Sequence, residues 1–251
     1  MSDEEWQRRS ISFGSAAGDY ARYRPAPPAE AAEWALGAAS GLVIDLAAGS
    51  GNLTRRLLGR AEQLVAVDVD PRMLAALGQQ HPGVARVAAR GEVLPFGAGA
   101  AGAVLISSAW HWLDPVRAWP ELARVLSPGG ILGVMRSGPD RTVPWVDDVL
   151  GGRAKRRVAE GASDPRRGVD LPVGAPFAHI EERMFTAWVP YSVADLPGLA
   201  ASYSQMMILT AENKRSAMAE VAARAAARAE LVGATTIELP LRCGVWRATR
   251  E

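Results

Sequence analysis

The sequence predicts an α/β fold, an open doubly wound parallel sheet with helices on both faces. Two observations carry that expectation. Short runs that stay apolar until they meet an acid, LVIDLA and LVAVDVD, have the pattern of strands covered on both sides. Amphipathic stretches separate such runs, and parallel neighbours need crossover connections of that kind.

Each element follows in order. Residues 1–35 form an arm rich in Gly, Ser and Pro, with a weak helical pattern from Ala29 to Leu36 that buries Trp34 and Leu36. LVIDLA and LVAVDVD are the first two strands, and LTRRLLGRA between them reads as a helix. PRMLAALGQQ is a second helix with Pro71 in its first turn and Asp70 as its N-cap. VARVAARGEVLPF carries a third strand and AGAVLISS a fourth. PVRAWPELARVLS is a helix with Leu122, Val125 and Leu126 at helical spacing, closed by PGG, and ILGVMRS is the fifth strand. Past Arg141 the alternation breaks down. RAKRRVAEGASDPRRG reads as a solvated connection, RMFTAWVPYS as a strand, VADLPGLAASYSQMMIL and NKRSAMAEVAARAAARAEL as helices, and ATTIELPLRCGVWRAT as a long final strand. The Ala-rich helix needs no function, since Ala is the best helix former. Three segments result within a single domain spanning 1–251: an arm or lid at 1–35, a binding core at 36–140, and remaining strands with capping helices at 141–251.

Composition excludes several classes of partner. With 28 basic and 27 acidic side chains the formal net charge is +1, which supplies no broad field for nucleic acid or an anionic membrane. A small molecule is the expected partner. One cysteine, Cys243, rules out an internal disulfide, and three histidines without a tight carboxylate cluster make no case for a metal. MSDEEWQRRS lacks the apolar core of a signal peptide, and no apolar run approaches the roughly 18–20 residues of a membrane span. The expected location is the cytoplasm; the sequence assigns no oligomeric state.

The chemistry concentrates after the first strand, in VIDLAAGSGNLTRRL. Ligands of open parallel sheets sit outside the carboxyl ends of the strands, where strand order reverses. Gly49 and Gly51 let a ligand approach the main chain there. A dinucleotide would require a third glycine, but that position holds Thr54, and the acid at Asp45 repels a pyrophosphate while attracting an ammonium. Asp68, closing the second strand, is placed to accept two ribose hydroxyls. The site therefore suits a nucleoside that carries an amino acid.

VIDLAAGSGNLTRRL, VAVDVDPRML, GEVLPF, SSAWHWLD and ELARVLSPGGIL, in this order, resemble the successive motifs of class I S-adenosylmethionine-dependent methyltransferases. The resemblance is to the small-molecule branch that includes ubiquinone and trans-aconitate methyltransferase-like enzymes, and it spans residues 13–137. It implies a Rossmann-like sheet with an antiparallel last strand, S-adenosylmethionine as cofactor, and methyl transfer to a small-molecule acceptor at oxygen or carbon. It further implies that Gly49 and Gly51 border the methionine part, with Asp45 near its ammonium, and that Asp68 holds the ribose. Val69 and Met73 would line the adenine, Gly91 and Glu92 would meet its edge, and Ser107, Trp110 and His111 would lie beside the sulfonium. In similar enzymes the arm folds over the cofactor, which implies that Tyr20 and Arg24 close the site.

This sequence departs from the family pattern at three places. Ala47 occupies the first glycine of the loop and is expected at φ < 0. Arg90 replaces an acid that would accept from the adenine amino group, and Gly102 is expected to be a loss of packing. The Asn-Pro-Pro-Tyr motif of enzymes that methylate nucleobases is missing, which argues against a nucleic-acid substrate. His111 is the candidate general base, at an ordinary pKa near 6.5; a bond to the backbone is its plainer role. Tyr203, Met206, Met207 and Trp188 either wall the acceptor pocket or pack as core. A scaffold that binds the cofactor without turnover, and a nicotinamide-dependent oxidoreductase, are the competing readings.

Overall fold

The computed structural model describes residues 22–151, 169–203, 206, 209–228 and 231–251. The elements are α1 (Ala29–Leu36), β1 (Leu42–Leu46), α2 (Thr54–Leu57), β2 (Gln63–Asp68), α3 (Pro71–Gln80), β3 (Ala85–Ala88), β4 (Ala101–Ser107), α4 (Pro115–Val125), β5 (Leu126–Pro139), α5 (Pro144–Val149), β6 (Phe177–Ser192), α6 (Leu196–Ala201), α7 (Ala211–Ala227) and β7 (Thr236–Arg250). A 3₁₀ turn, Trp110–Trp112, follows β4.

One seven-stranded sheet has the order β3-β2-β1-β4-β5-β7-β6. Strands β1 to β5 pair in parallel, and β7 runs antiparallel to both β5 and β6. The chain winds outward from β1 to β3, then returns to lay β4 on the other side of β1. This reversal opens the crevice between the carboxyl ends of β1 and β4. Alternation along the strands loads both faces. Val43, Leu105, Met135 and Phe185 pack with α1 and Leu53 on one side, while Ile44, Val104, Ile106 and Trp246 pack with α4 on the other. Leu105 has no exposed surface, so Leu105→Ala should cost ~2–5 kcal/mol.

The far ends of β6 and β7 leave this double layer and carry a third cluster, in which Leu239 and Leu241 meet α5, α6 and α7 through Val146, Leu199 and Val221. This is the C-terminal helical cap. Local rules set the helix starts: Asp70 and Asp114 accept from the backbone N–H groups of Arg72 and Val116, each followed by a proline at the first helical position.

Three expectations fail locally. The helix after β1 is one turn, Thr54–Leu57, because the chain leaves helical geometry at Leu58 and turns through Gly59 at φ 72°. Leu126 belongs to β5, since α4 ends at Val125 and the SPGG segment enters the sheet beside Ala101. Gly102 is no loss of packing: a Cβ there would lie 1.9 Å from the Ser40 carbonyl oxygen, so the close approach of that backbone requires glycine.

Candidate active site

The loop after β1 is built by alternating left-handed residues. Ala47, Gly49 and Gly51 have φ of 55°, 55° and 97°. The expectation for Ala47 is therefore overturned, and the first position of the motif demands the glycine-like conformation that alanine adopts here at a cost. Three hydrogen bonds pin the loop: Ala48 N–H donates to the Val67 carbonyl at 3.0 Å, Gly51 N–H to the Ala48 carbonyl at 3.0 Å, and Gly49 N–H to Asp68 Oδ2 at 2.8 Å. Open space faces Gly49, whereas Leu77 and His81 crowd Gly51. Gly49 is thus the point of close approach, and Gly51 is fixed by packing.

Two buried carboxylates underlie the loop. Asp68 also accepts from the Asp70 N–H at 2.9 Å. The Val69 amide adds a third backbone hydrogen bond, which leaves about one of a carboxylate's roughly four acceptor sites. Asp45 accepts from the Thr54 hydroxyl at 2.5 Å, which ties it to the start of α2. The distance in sequence between Asp45 and that helix hid this contact, since the loop folds back on itself. The other oxygen, Oδ1, is buried without a hydrogen-bonding partner. Burial pushes the Asp45 carboxyl up to about 7, opposed by the Thr54 hydrogen bond and helped by the charge of Asp68. Burial raises Asp68 as well.

The β4–β5 side carries the opposite sign. Ser108, just past β4, is a second non-glycine residue at positive φ, 56°, held by its N–H to the Met135 carbonyl at 2.7 Å and by Ser137 N–H donating to its Oγ at 3.4 Å. The turn it starts presents His111 to solvent in a concave setting. Partial desolvation, then the guanidiniums of Arg136 and Arg24, push this imidazole down to about 4, which corrects the expected ordinary value. Arg24 reaches the site from the arm. It stacks on the Tyr203 ring at 4.0 Å and donates to the Ser202 carbonyl at 3.2 Å. The arm itself is anchored by the Tyr191 hydroxyl, which donates to the Tyr23 carbonyl at 2.9 Å, and by Gly198, whose missing Cβ makes room for the Tyr23 ring.

The chain is similar to known proteins. A family model described as a methyltransferase domain matches residues 44–134. A Mycobacterium tuberculosis protein named as an uncharacterized methyltransferase is 37% identical over 242 residues, 96% of each chain. The chain belongs to the class I S-adenosylmethionine-dependent methyltransferases. In fold it is similar to a candidate type II methyltransferase of Anaeromyxobacter dehalogenans, at 23% identity, a TM-score of 0.65 and coverage of 91% and 98% of the two chains. It is also similar to phosphoethanolamine N-methyltransferase 2 of Haemonchus contortus, solved with S-adenosyl-L-methionine, at 14% identity, a TM-score of 0.58 and coverage of 100% and 60%. The protein is an enzyme, and its cofactor is S-adenosylmethionine.

The other expected site residues of this methyltransferase have the following surroundings. A Cβ on Gly91 would lie 2.7 Å from Leu113, and Glu92 accepts from the Asp114 N–H at 2.9 Å, so both brace the turn into α4. Trp110 is buried edge-on to Trp119, 4.9 Å between centroids, within the core. Met73 is buried in α3 and Val69 half-buried beside it, while Ser107 ends β4 next to the strained Ser108. Arg90 lies 3.5 Å from Glu92. Trp188 stands 60% exposed on the edge strand and is not core. Tyr20, Met207 and the RAKRRVAEGASDPRRG connection fall outside the described residues. The sequence reading missed Tyr191, Ser202 and Arg136, for which no local motif exists. Among the described residues no helix is long and apolar enough to cross a membrane, and no cluster of three His, Cys, Asp or Glu is placed to hold a metal ion.

Proposed function

We propose that this methyltransferase transfers a methyl group to a small-molecule acceptor, at oxygen or acidic carbon, by in-line displacement. The observation that supports the reading is the pairing of an orphaned buried acceptor, Asp45 Oδ1, with a loop that leaves Gly49 open beside the remaining acceptor capacity of Asp68. A ligand with an ammonium and a ribose diol satisfies all of these groups, so the residues present fit S-adenosylmethionine. When bound, this cofactor supplies a methyl carbon made electrophilic by a sulfonium.

The chain's own residues then have distinct tasks. Asp45 takes the ammonium, and the positive charge keeps that carboxyl ionised despite its burial. Asp68 holds the diol and the loop together, and Val69 and Met73 line the base. Gly91 and Glu92 act through the turn they brace, with Ser107, Trp110 and His111 at the acceptor side. Arg24 shields the crevice from water. Holding donor and acceptor in register is the main catalytic effect, which can lower a barrier by roughly 7–11 kcal/mol. His111, neutral at pH 7, would take the proton that a hydroxyl or acidic carbon loses, or orient the acceptor. The 1–35 arm, 36–140 core and 141–251 segment work as one domain.

Titration calorimetry with S-adenosylmethionine, its demethylated product and NAD tests the binding half: the first two bind and NAD does not. Release of labelled methyl product from a library of small acceptors, with RNA and DNA as controls, tests the second half. NAD binding, or label on nucleic acid alone, would overturn the proposal.

A further inference from the structure

We infer that the hollow between the chain after α2 and the C-terminal end of α3 is a second ligand site, fitted to a small neutral aromatic amide or alcohol, and that its occupant tightens cofactor binding through the turn at His81. The hollow shares no residue with the crevice. It rests on the function proposed above only for the seat of the cofactor at the loop after β1.

The hollow follows from the early end of α2. Because the chain leaves helical geometry at Leu58 and turns through Gly59 at φ 72°, a single helical turn stands where the sequence predicts a longer helix. A space of about 350 Å³ is left, within the roughly 300–1,000 Å³ of ligand sites. Leu64 of β2 and Val84 ahead of β3, with Leu58 and Ala61, give it an apolar lining. Leu58 is 42% exposed, an aliphatic side chain standing against that space.

The polar groups set the class of occupant. Glu62 lines the hollow with a carboxylate that accepts from the Gly41 N–H at 3.2 Å. His81 also lines it, and its Nε2 is buried with no hydrogen-bonding partner among the described residues. Burial, then the charge of Arg55, lowers the pKa of this imidazole, so at pH 7 it is neutral, with one donor and one acceptor nitrogen. A hydroxyl or primary amide can both donate and accept, and so suits either tautomer. The acid at Glu62 and the Arg55 cation felt at His81 oppose each other, which favours a neutral ligand over a charged one.

The turn that lines the hollow also touches the cofactor loop. A Cβ on Gly51 would lie 3.1 Å from His81 Cδ2, and Gln80 Nε2 donates to the Ser50 carbonyl at 3.4 Å. Val84 N–H closes the turn on the His81 carbonyl at 3.1 Å. Filling the hollow therefore supports the turn that braces Ser50 and Gly51, so less ordering of the loop is left for cofactor binding. By linkage, the cofactor tightens the second ligand by the same factor.

The test uses the full chain and benzamide, whose amide is a poor nucleophile towards a sulfonium, with benzoate and benzylammonium as charged probes of similar size. Ligand-observed NMR without cofactor should give benzamide a dissociation constant of about 1 mM or tighter, as about nine heavy atoms allow, and both charged probes about fivefold or more weaker binding. Leu58→Asp, at an exposed side chain, and Gly83→Phe, where a Cβ meets nothing within 4 Å, should each weaken benzamide about tenfold or more and leave cofactor affinity within about twofold. Saturating benzamide should tighten S-adenosylmethionine binding by about fivefold or more in the wild type and by less than about twofold in His81→Ala. No benzamide binding, charged probes that bind as well, unchanged benzamide affinity in both blocking variants, a wild-type cofactor affinity indifferent to benzamide, or a gain that survives in His81→Ala would each overturn the inference. Failure to bind the cofactor at all, with benzamide still bound and still weakened by the two variants, counts instead against the function proposed above.

Discussion

The crevice has an acidic half and a basic half, and they are built in different ways. Asp45, Ala47, Gly49, Gly51, Thr54 and Asp68 lie within 24 consecutive residues and are joined by hydrogen bonds of 2.5–3.0 Å. Arg24, His111, Arg136 and Tyr203 come from four separate parts of the chain, held by stacking, one carbonyl contact and strand register. In the function proposed above, a local motif would hold the cofactor and acceptor choice would be distributed over the chain. A local motif fails all at once when its central acid is lost, whereas a distributed site degrades one contact at a time.

The largest expected effect follows from that difference. Asp68→Ala removes the acceptor for both the Gly49 and Asp70 amides and the proposed ribose contact. Hydrogen bonds to a charged group contribute about 1.5–3 kcal/mol each, so cofactor affinity should fall by roughly 10²-fold or more, read by calorimetry. Asp68→Asn, which can still accept, should lose less. Equal losses in the two variants would mean that the loop is not held by this carboxylate.

On the basic half, Gly198 offers a cut that leaves the cofactor loop alone. A side chain there displaces Tyr23, whose ring carbons lie 2.5 Å from the position of the missing Cβ. Gly198→Val should free the arm and misplace Arg24. Acceptor kcat/KM should fall by about tenfold or more, since a 1 Å misplacement can cost ~10²-fold. Cofactor affinity measured without acceptor should change by about threefold or less, since among the described residues Tyr23 and Arg24 contact Tyr191, Gly198, Ser202 and Tyr203 and not the loop after β1. A parallel loss of both would show that the arm closes over the cofactor as well.

How much of each half is legible in the sequence follows from the same contrast. The five parallel strands and the loop are short-range patterns: apolar runs that end in acids, glycines at fixed offsets, and prolines after N-caps. They stand where the sequence puts them. Asp45 and Thr54 are nine positions apart, and only the reversal of the loop makes them partners. Gly91 and Glu92 carry the residue types of a ligand edge, and they also pack on Leu113 and accept from the Asp114 amide, contacts that no local pattern announces. The basic half has no sequence signal, because its members meet only through the fold, Arg24 reaching the Ser202 carbonyl 178 positions later.

The two halves also respond oppositely to pH. The folded carboxyl of Asp45 titrates near 7, above its unfolded value of 3.8, so between those values the folded state holds the extra proton and stability falls as pH rises. Asp68, also raised, has the same sign. His111 titrates near 4 instead of 6.5, so over that window the unfolded state holds the proton and stability rises with pH. Without ligand, the opposing slopes should leave the melting temperature flattest between pH 4 and 6.5, with a further fall towards pH 7. Asp45→Asn should remove that fall, and His111→Asn should steepen the decline below 6.5. Cofactor affinity in the wild type should tighten as pH rises through 7, because the ammonium is met by an ionised carboxylate. A flat affinity profile between pH 6 and 8 would separate Asp45 from the ammonium.

The smallest effect tests the least favourable residue of the local motif. Ala47 sits at φ 55°, where an L side chain costs about 1–2 kcal/mol and glycine nothing. Ala47→Gly removes that strain but adds freedom to the unfolded chain, an entropic loss of roughly 0.4–1 kcal/mol. The net gain should be about 0.5–1 kcal/mol, or ~1–4 °C in melting temperature for a chain of this size. Strain relief should also leave cofactor affinity unchanged within about twofold, since the backbone already holds the bound-like turn through Ala48 and Gly49. If affinity rises with stability, the alanine is holding the loop away from its bound geometry, and the acidic half is less preorganised than its hydrogen bonds indicate.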